Sequence, residues 1–199
     1  MEQNGLLNAA FPIPRILLGC FAMAVFETGT APLQVQAQPQ PIRGLETEWP
    51  VPAEPLQLFY LQRDPDINTV VYQLNMVDGE INGNKPVNVF WIRYAENNEQ
   101  RPLNYVQRTM AFGLTHRKLD NGDFALQLVS YRDLALRLAY HEALGRHVVY
   151  ASINGTQAIL DRIYVRIDGG SLFNPNIVYF ELSGRDTSTG RAVSERLTP

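Results

Sequence analysis

The sequence predicts an all-β fold, mainly an antiparallel β-sandwich of about nine strands with one short helix, and three observations carry that prediction. From Leu56 onward, short runs of two-residue apolar alternation follow one another. Asn-Gly pairs stand between them where tight hairpins need them. No internal repeat of solenoid length is present. A closed β-barrel makes similar demands on alternation and is the alternative.

In residues 69–76, Val70, Tyr72, Leu74 and Met76 point one way and Thr69, Val71, Gln73 and Asn75 the other, which gives one buried and one mixed face. Residues 87–94 (VNVFWIRY) are apolar on both faces, as in a central strand covered on both sides. The helix is expected over 102–110, with Pro102 in the first turn and Leu103, Val106 and Met110 on one stripe. It would cover one face of that strand. Asn121-Gly122 joins 112–119 to 124–131, and Arg132-Asp133 turns tightly into 134–141. Asn154-Gly155 supplies the two positive φ angles of a type I′ turn, with arms 147–153 and 156–167. In the second arm the apolar phase moves from Ala158 and Leu160 to Ile163, Val165 and Ile167, which places a bulge near Asp161-Arg162.

The 199 residues suit one domain with a short appendage, and 45% hydrophobic against 19% charged residues is enough apolar matter for a core. The formal charge is −3, Lys85 and Lys118 are the only lysines, and the arginines are scattered singly. A nucleic-acid surface needs clustered cations that neutralise several phosphates together, so nucleic acid is not an expected partner.

Arg15 precedes an apolar run at 16–26 that is too short to cross roughly 30 Å of hydrocarbon. Small and polar residues follow, and Val35-Gln36-Ala37 fits a signal-peptidase site. The expected organisation is a signal peptide over 1–37, a Pro/Gln-rich linker over 38–55, and a β-rich domain over 56–199 ending in a short polar tail. The mature chain would carry no transmembrane segment and would be periplasmic or envelope-associated. Lipidation at Cys20 is the rival, but only Ile16, Leu17 and Leu18 separate Arg15 from Gly19 as an apolar core. Cys20 is the single cysteine, so its removal leaves no disulfide, thiol nucleophile or cysteine ligand.

Arg93 shares a strand face with Val87, Val89 and Trp91, and a guanidinium drawn toward a core needs a carboxylate. Trp91, Arg93, Tyr94, Glu96 and Gln107 are therefore the candidate ligand-binding residues, in a small polar pocket between helix and sheet. The same residues also fit an ion pair that only fixes the helix.

Other constellations fall short of a motif. Asp64, Asp66 and Asn68 offer oxygens to Ca²⁺, but Thr69 and Asn75 stand where an EF-hand needs glycine and glutamate. In HEALGRH, Gly145 occupies the place of the second zinc histidine, and His116, His141 and His147 have no spacing that brings them together. Ser171 after Gly169-Gly170 lacks the nucleophile-elbow pattern. Asp161, Asp168 and Glu181 could serve as paired carboxylates only if folding sets them face to face. No catalytic residue, metal ligand or cofactor is assigned.

Leu58-Phe59-Tyr60-Leu61-Gln62-Arg63 with Asn68-Thr69-Val70-Val71-Tyr72, the Phe90-Trp91-Ile92-Arg93-Tyr94-Ala95-Glu96 segment after Pro86-Val87, Ala151-Ser152-Ile153-Asn154-Gly155, and Gly169-Gly170-Ser171 with Pro175 stand together. In these stretches, over roughly residues 56–191, the chain resembles a bacterial domain-of-unknown-function family, number four-eight-three-three. The resemblance implies export in envelope-bearing bacteria and a single compact domain, with no established activity and no assigned site. Asp66-Ile67-Asn68 departs from the family's Asn-x-Asn pattern. The functional expectation is a non-catalytic module that binds a ligand or partner in the cell envelope. The alternative is an envelope hydrolase using His116, His141 or His147 as base or metal ligand.

Overall fold

The computed structural model describes residues 49–171 and 174–199; the expected signal peptide, the lipidation candidate Cys20 and most of the linker lie outside them. Thirteen strands follow in order: β1 (Gln57–Arg63), β2 (Asp66–Leu74), β3 (Met76–Val77), β4 (Glu80–Ile81), β5 (Val87–Arg93), β6 (Glu99–Pro102), β7 (Leu114–Lys118), β8 (Phe124–Leu128), β9 (Leu136–His141), β10 (Arg146–Ile153), β11 (Thr156–Gly170), β12 (Pro175–Asp186) and β13 (Ala192–Leu197). The all-β class holds. The count exceeds the expected nine because β3, β4 and β6 are too short to show alternation, and because the expected polar tail contains an edge strand, β13.

Eleven strands form one sheet in the order β6-β5-β2-β1-β11-β10-β9-β8-β7, with β12 and β13 branching from β11, while β3 and β4 pair separately. β11 is the junction. Its residues 156–159 pair with β10, its residues 162–165 pair with β1, and β12 runs along its other edge through both stretches. The β11–β12 register shifts between Leu160 and Arg162, where the apolar phase change places a bulge. Among the described residues every strand pair is antiparallel except β1–β11, which is parallel and makes the sheet mixed. Among the described residues β6 and β7 end the path without pairing with each other, so the described strands do not close into a barrel through hydrogen bonds.

The inner face of the curled sheet holds a single apolar cluster. Phe59, Tyr72 and Trp91 enter it from one arm and Leu126, Leu136, Leu138 and Val149 from the other. The rings of Phe59 and Tyr72 stack at 4.2 Å. The outer face of β1 and β2 is sealed as well, so Thr69 and Val71 are buried where a mixed face is expected. Gln62 explains this. Its side-chain NH₂ donates to the Pro50 carbonyl (2.7 Å) and the Thr69 hydroxyl (3.1 Å), while its Oε1 accepts from Arg162 Nε (2.9 Å). Trp49 lies edge-on to Tyr164 at 5.8 Å, so the end of the proline-rich stretch is tied onto the sheet.

β5 is next to the edge strand β6, a less central place than its apolar run suggests. The expected helix over 102–110 is present but starts later: Pro102 ends β6, and residues 105–106 are α-helical and lead into a π-helical turn over Gln107–Ala111. Of its proposed stripe only Leu103 is buried, while Val106 is 42% and Met110 60% exposed. Leu103 and Phe112 anchor the segment from its two ends instead, and the Tyr72 hydroxyl donates to the Phe112 carbonyl at 2.8 Å. Burial pushes that phenol well above its ordinary pKa, so it stays a donor. Tyr72→Phe leaves a buried carbonyl unpaired and is expected to cost about 1–2 kcal/mol, read from the urea midpoint at unchanged slope.

Candidate functional site

Pairing registers build the site. Leu61 sits opposite Val70, Val70 opposite Trp91, and Trp91 opposite Arg101, so these side chains share one row across β1, β2, β5 and β6. Two residues further along β2 and β5, on the same face, stand Asn68 and Arg93, while the β1–β2 register shifts after Leu61 so that Arg63 stands opposite Asp66. The inner face therefore turns from apolar to polar at this end of the sheet. A cleft of about 330 Å³ opens there, lined by Arg63, Asp66, Asn68, Trp91, Arg93, Arg101, Pro102, Asn104 and Gln107.

Trp91 is 6% exposed and meets Phe112 edge-on at 4.9 Å. The Arg63 guanidinium lies over both rings, 6.0 Å from the Trp91 centroid and 5.5 Å from that of Phe112. Asp66 stands 4.0 Å from Arg63, close enough to balance charge and too long for a hydrogen bond. Arg63 Nε and Trp91 Nε1 are buried with no hydrogen-bond partner among the described residues. Arg93 pairs with Glu96 and Arg101 with Glu99 (2.8 Å) at the outer rim. The hydrogen bond from Arg101 holds the Glu99 carboxyl below its ordinary pKa.

Of the five candidate residues, Trp91, Arg93 and Gln107 line the cleft together. Glu96 reaches it only through Arg93, from the 3-10 turn Tyr94–Glu96. Tyr94, on the same turn, is not among the lining residues; burial, then Glu54 and Tyr60, raise its pKa. Arg63 and Arg101, and Asn68 as a member of the cleft, are not predicted from sequence because they join it only through strand pairing, and Asn104 because the helical segment starts after it. The signal that could have found them is polar residues continuing an apolar alternation at strand ends.

The other constellations are dispersed. Asp64 accepts from Arg166 (2.6 Å), whereas Asp66 accepts from the Asn68 amide (2.9 Å), the self-capping of an Asp turn. His141 and His147 lie on adjacent strands but opposite faces, since His147 pairs with Tyr140 and His141 with Arg146. His116 is on β7, three strand spacings or roughly 14 Å across the sheet from His147. Burial lowers the His147 pKa. Ser171 closes a small loop with Asn174, after Gly169 and Gly170 at positive φ. Asp161 is bonded to Arg185 and Glu181 to Arg196. Asp168 supplies its backbone carbonyl to Asn176.

Among the described residues no helix is long and apolar enough to cross a membrane. No curated protein and no solved structure gives a significant match to the chain. Residues 59–196, more than half of the sequence and the whole of the sheet apart from the first two residues of β1 and the last of β13, match the family described as domain of unknown function (DUF4833), and the chain belongs to it.

Proposed function

We propose that this domain is an exported, non-catalytic binding module of the cell envelope and that its ligand occupies the cleft between the ends of β1, β2, β5 and β6 and the 103–112 segment. One observation carries the reading: two N–H donors, on Trp91 and Arg63, are buried at the cleft without partners. A buried donor left unpaired costs about 1–3 kcal/mol, a cost that an acceptor on a ligand removes. The apolar run behind Arg15 and the Val35-Gln36-Ala37 site support export. The hydrolase reading has less support, because its three histidines are spread over different strands and faces.

Trp49 and Trp91 are the only tryptophans, so a ¹⁵N-labelled full chain gives two indole N–H signals. Titrated with neutral sugars, amino acids, carboxylates and phosphates, the Trp91 signal is expected to move with at least one class while Trp49 stays put and every solute is recovered unchanged. Chemical conversion of a solute, or a Trp91 signal that no class moves, overturns the binding reading. Mass spectrometry of the chain from the producing cell's envelope tests export: an uncleaved amino terminus in the cytoplasm overturns that part.

A further inference from the structure

We infer that the cleft is built to take an oxyanion, the carboxylate or phosphate group of a small ligand; this rests on the binding reading above and narrows it. The argument is an inventory of donors and acceptors. Three amide side chains line the cleft, and each has its carbonyl oxygen already committed to a backbone N–H: Asn68 Oδ1 accepts from Ala95, Asn104 Oδ1 from Gln107, and Gln107 Oε1 from Asn104. A backbone N–H can be accepted only by the oxygen end of an amide, so these bonds fix the orientation and leave each NH₂, a pure donor, for the cleft. Trp91 Nε1–H and Arg63 Nε–H add two more donors, both buried and unpartnered. Indole and guanidinium groups cannot accept.

Against these donors stands one lining carboxylate, Asp66, one of whose oxygens already accepts from the Asn68 amide. A ligand satisfying this wall must bring acceptors, and an oxyanion brings several on one atom centre. Charge does not oppose it. Arg93 and Arg101 are held by Glu96 and Glu99 in pairs that are one-third to one-half exposed, and water screens such pairs strongly, so both guanidinium groups can turn to a better acceptor. Arg63, stacked over Trp91 and Phe112, is the one held in place with its Nε–H available. The volume of about 330 Å³ is roughly ten times a water's share of the liquid, which leaves room for a small organic body behind the anionic group.

The test uses Trp91 as reporter. In the full-length Trp49→Phe chain it is the sole tryptophan, and its emission is followed against sodium acetate, sodium phosphate and glucose, with chloride holding ionic strength constant. A saturable change with acetate or phosphate is expected, and the stronger of the two says which anionic group the cleft prefers. Arg63→Lys in that background keeps the charge and loses the Nε–H, and is expected to weaken binding at least tenfold with an unchanged melting temperature. An unaltered affinity in Arg63→Lys, or an equal response to added chloride, overturns the oxyanion assignment. A response to glucose alone also overturns it while leaving the binding reading standing. Silence toward all three, with no solute moving the Trp91 indole signal, removes both.

Discussion

Phe59→Ala is expected to lower the stability of the domain by about 3–5 kcal/mol, the range for emptying a buried aromatic site. Phe59 is fully buried on β1, and its ring stacks on that of Tyr72 at 4.2 Å, nearly parallel. Three connections converge there. β1 pairs antiparallel with β2 on one side and parallel with β11 on the other, so the sheet around Phe59 cannot easily collapse onto a void. Tyr72, losing its stacking partner, is also the residue that bonds the Phe112 carbonyl. Urea unfolding followed by tyrosine and tryptophan emission should show the midpoint falling with its slope retained. A loss under about 1 kcal/mol would mean that this contact is peripheral to the core.

Gly113→Ala is expected to cost about 3 kcal/mol, at the upper end for overpacking, and to disturb the cleft as well. The reason is a close backbone approach: a methyl group at 113 would land on the carbonyl oxygen of Arg108 in the π-helical turn. Backbone cannot rotate away as a side chain does, so the turn must shift. Gln107, a lining residue, belongs to the same turn, and Gly113 itself accepts from Val129 on the opposite side. Both the melting temperature and the Trp91 emission should therefore change together. A melting temperature within a degree or two of the unsubstituted chain would contradict the tight approach.

Local chemistry made much of the fold legible. Asn154 and Gly155 both adopt positive φ, and Ile153 pairs with Thr156 across them, because a two-residue turn between twisted strands has few other solutions. The Asn121-Gly122 loop was located correctly but is built differently: Gly122 alone has positive φ, and Leu119 and Asp123 close five residues. The bulge at Asp161-Arg162 could be read because a phase slip in alternation has a local cause. The expected short helix is present but starts later for an equally physical reason: Pro102 and Leu103 fit a helical stripe with Val106 and Met110, yet the backbone of Glu99–Pro102 pairs along β5.

From the residues alone came the strand-forming alternation, the hairpin at Asn154-Gly155, the bulge, and the grouping of Trp91 with Arg93 and Gln107 around one cleft; the first three depend on backbone preference or on spacing within a short stretch. Only the folded chain decided that β1 runs parallel beside β11, that the sheet branches there, and that Arg63, Asn68, Arg101 and Asn104 meet Trp91 around one cleft. Those outcomes depend on register between strands as much as a hundred residues apart, such as Leu61 opposite Ile163, and no local pattern carries information about which distant edge will be free to accept a strand.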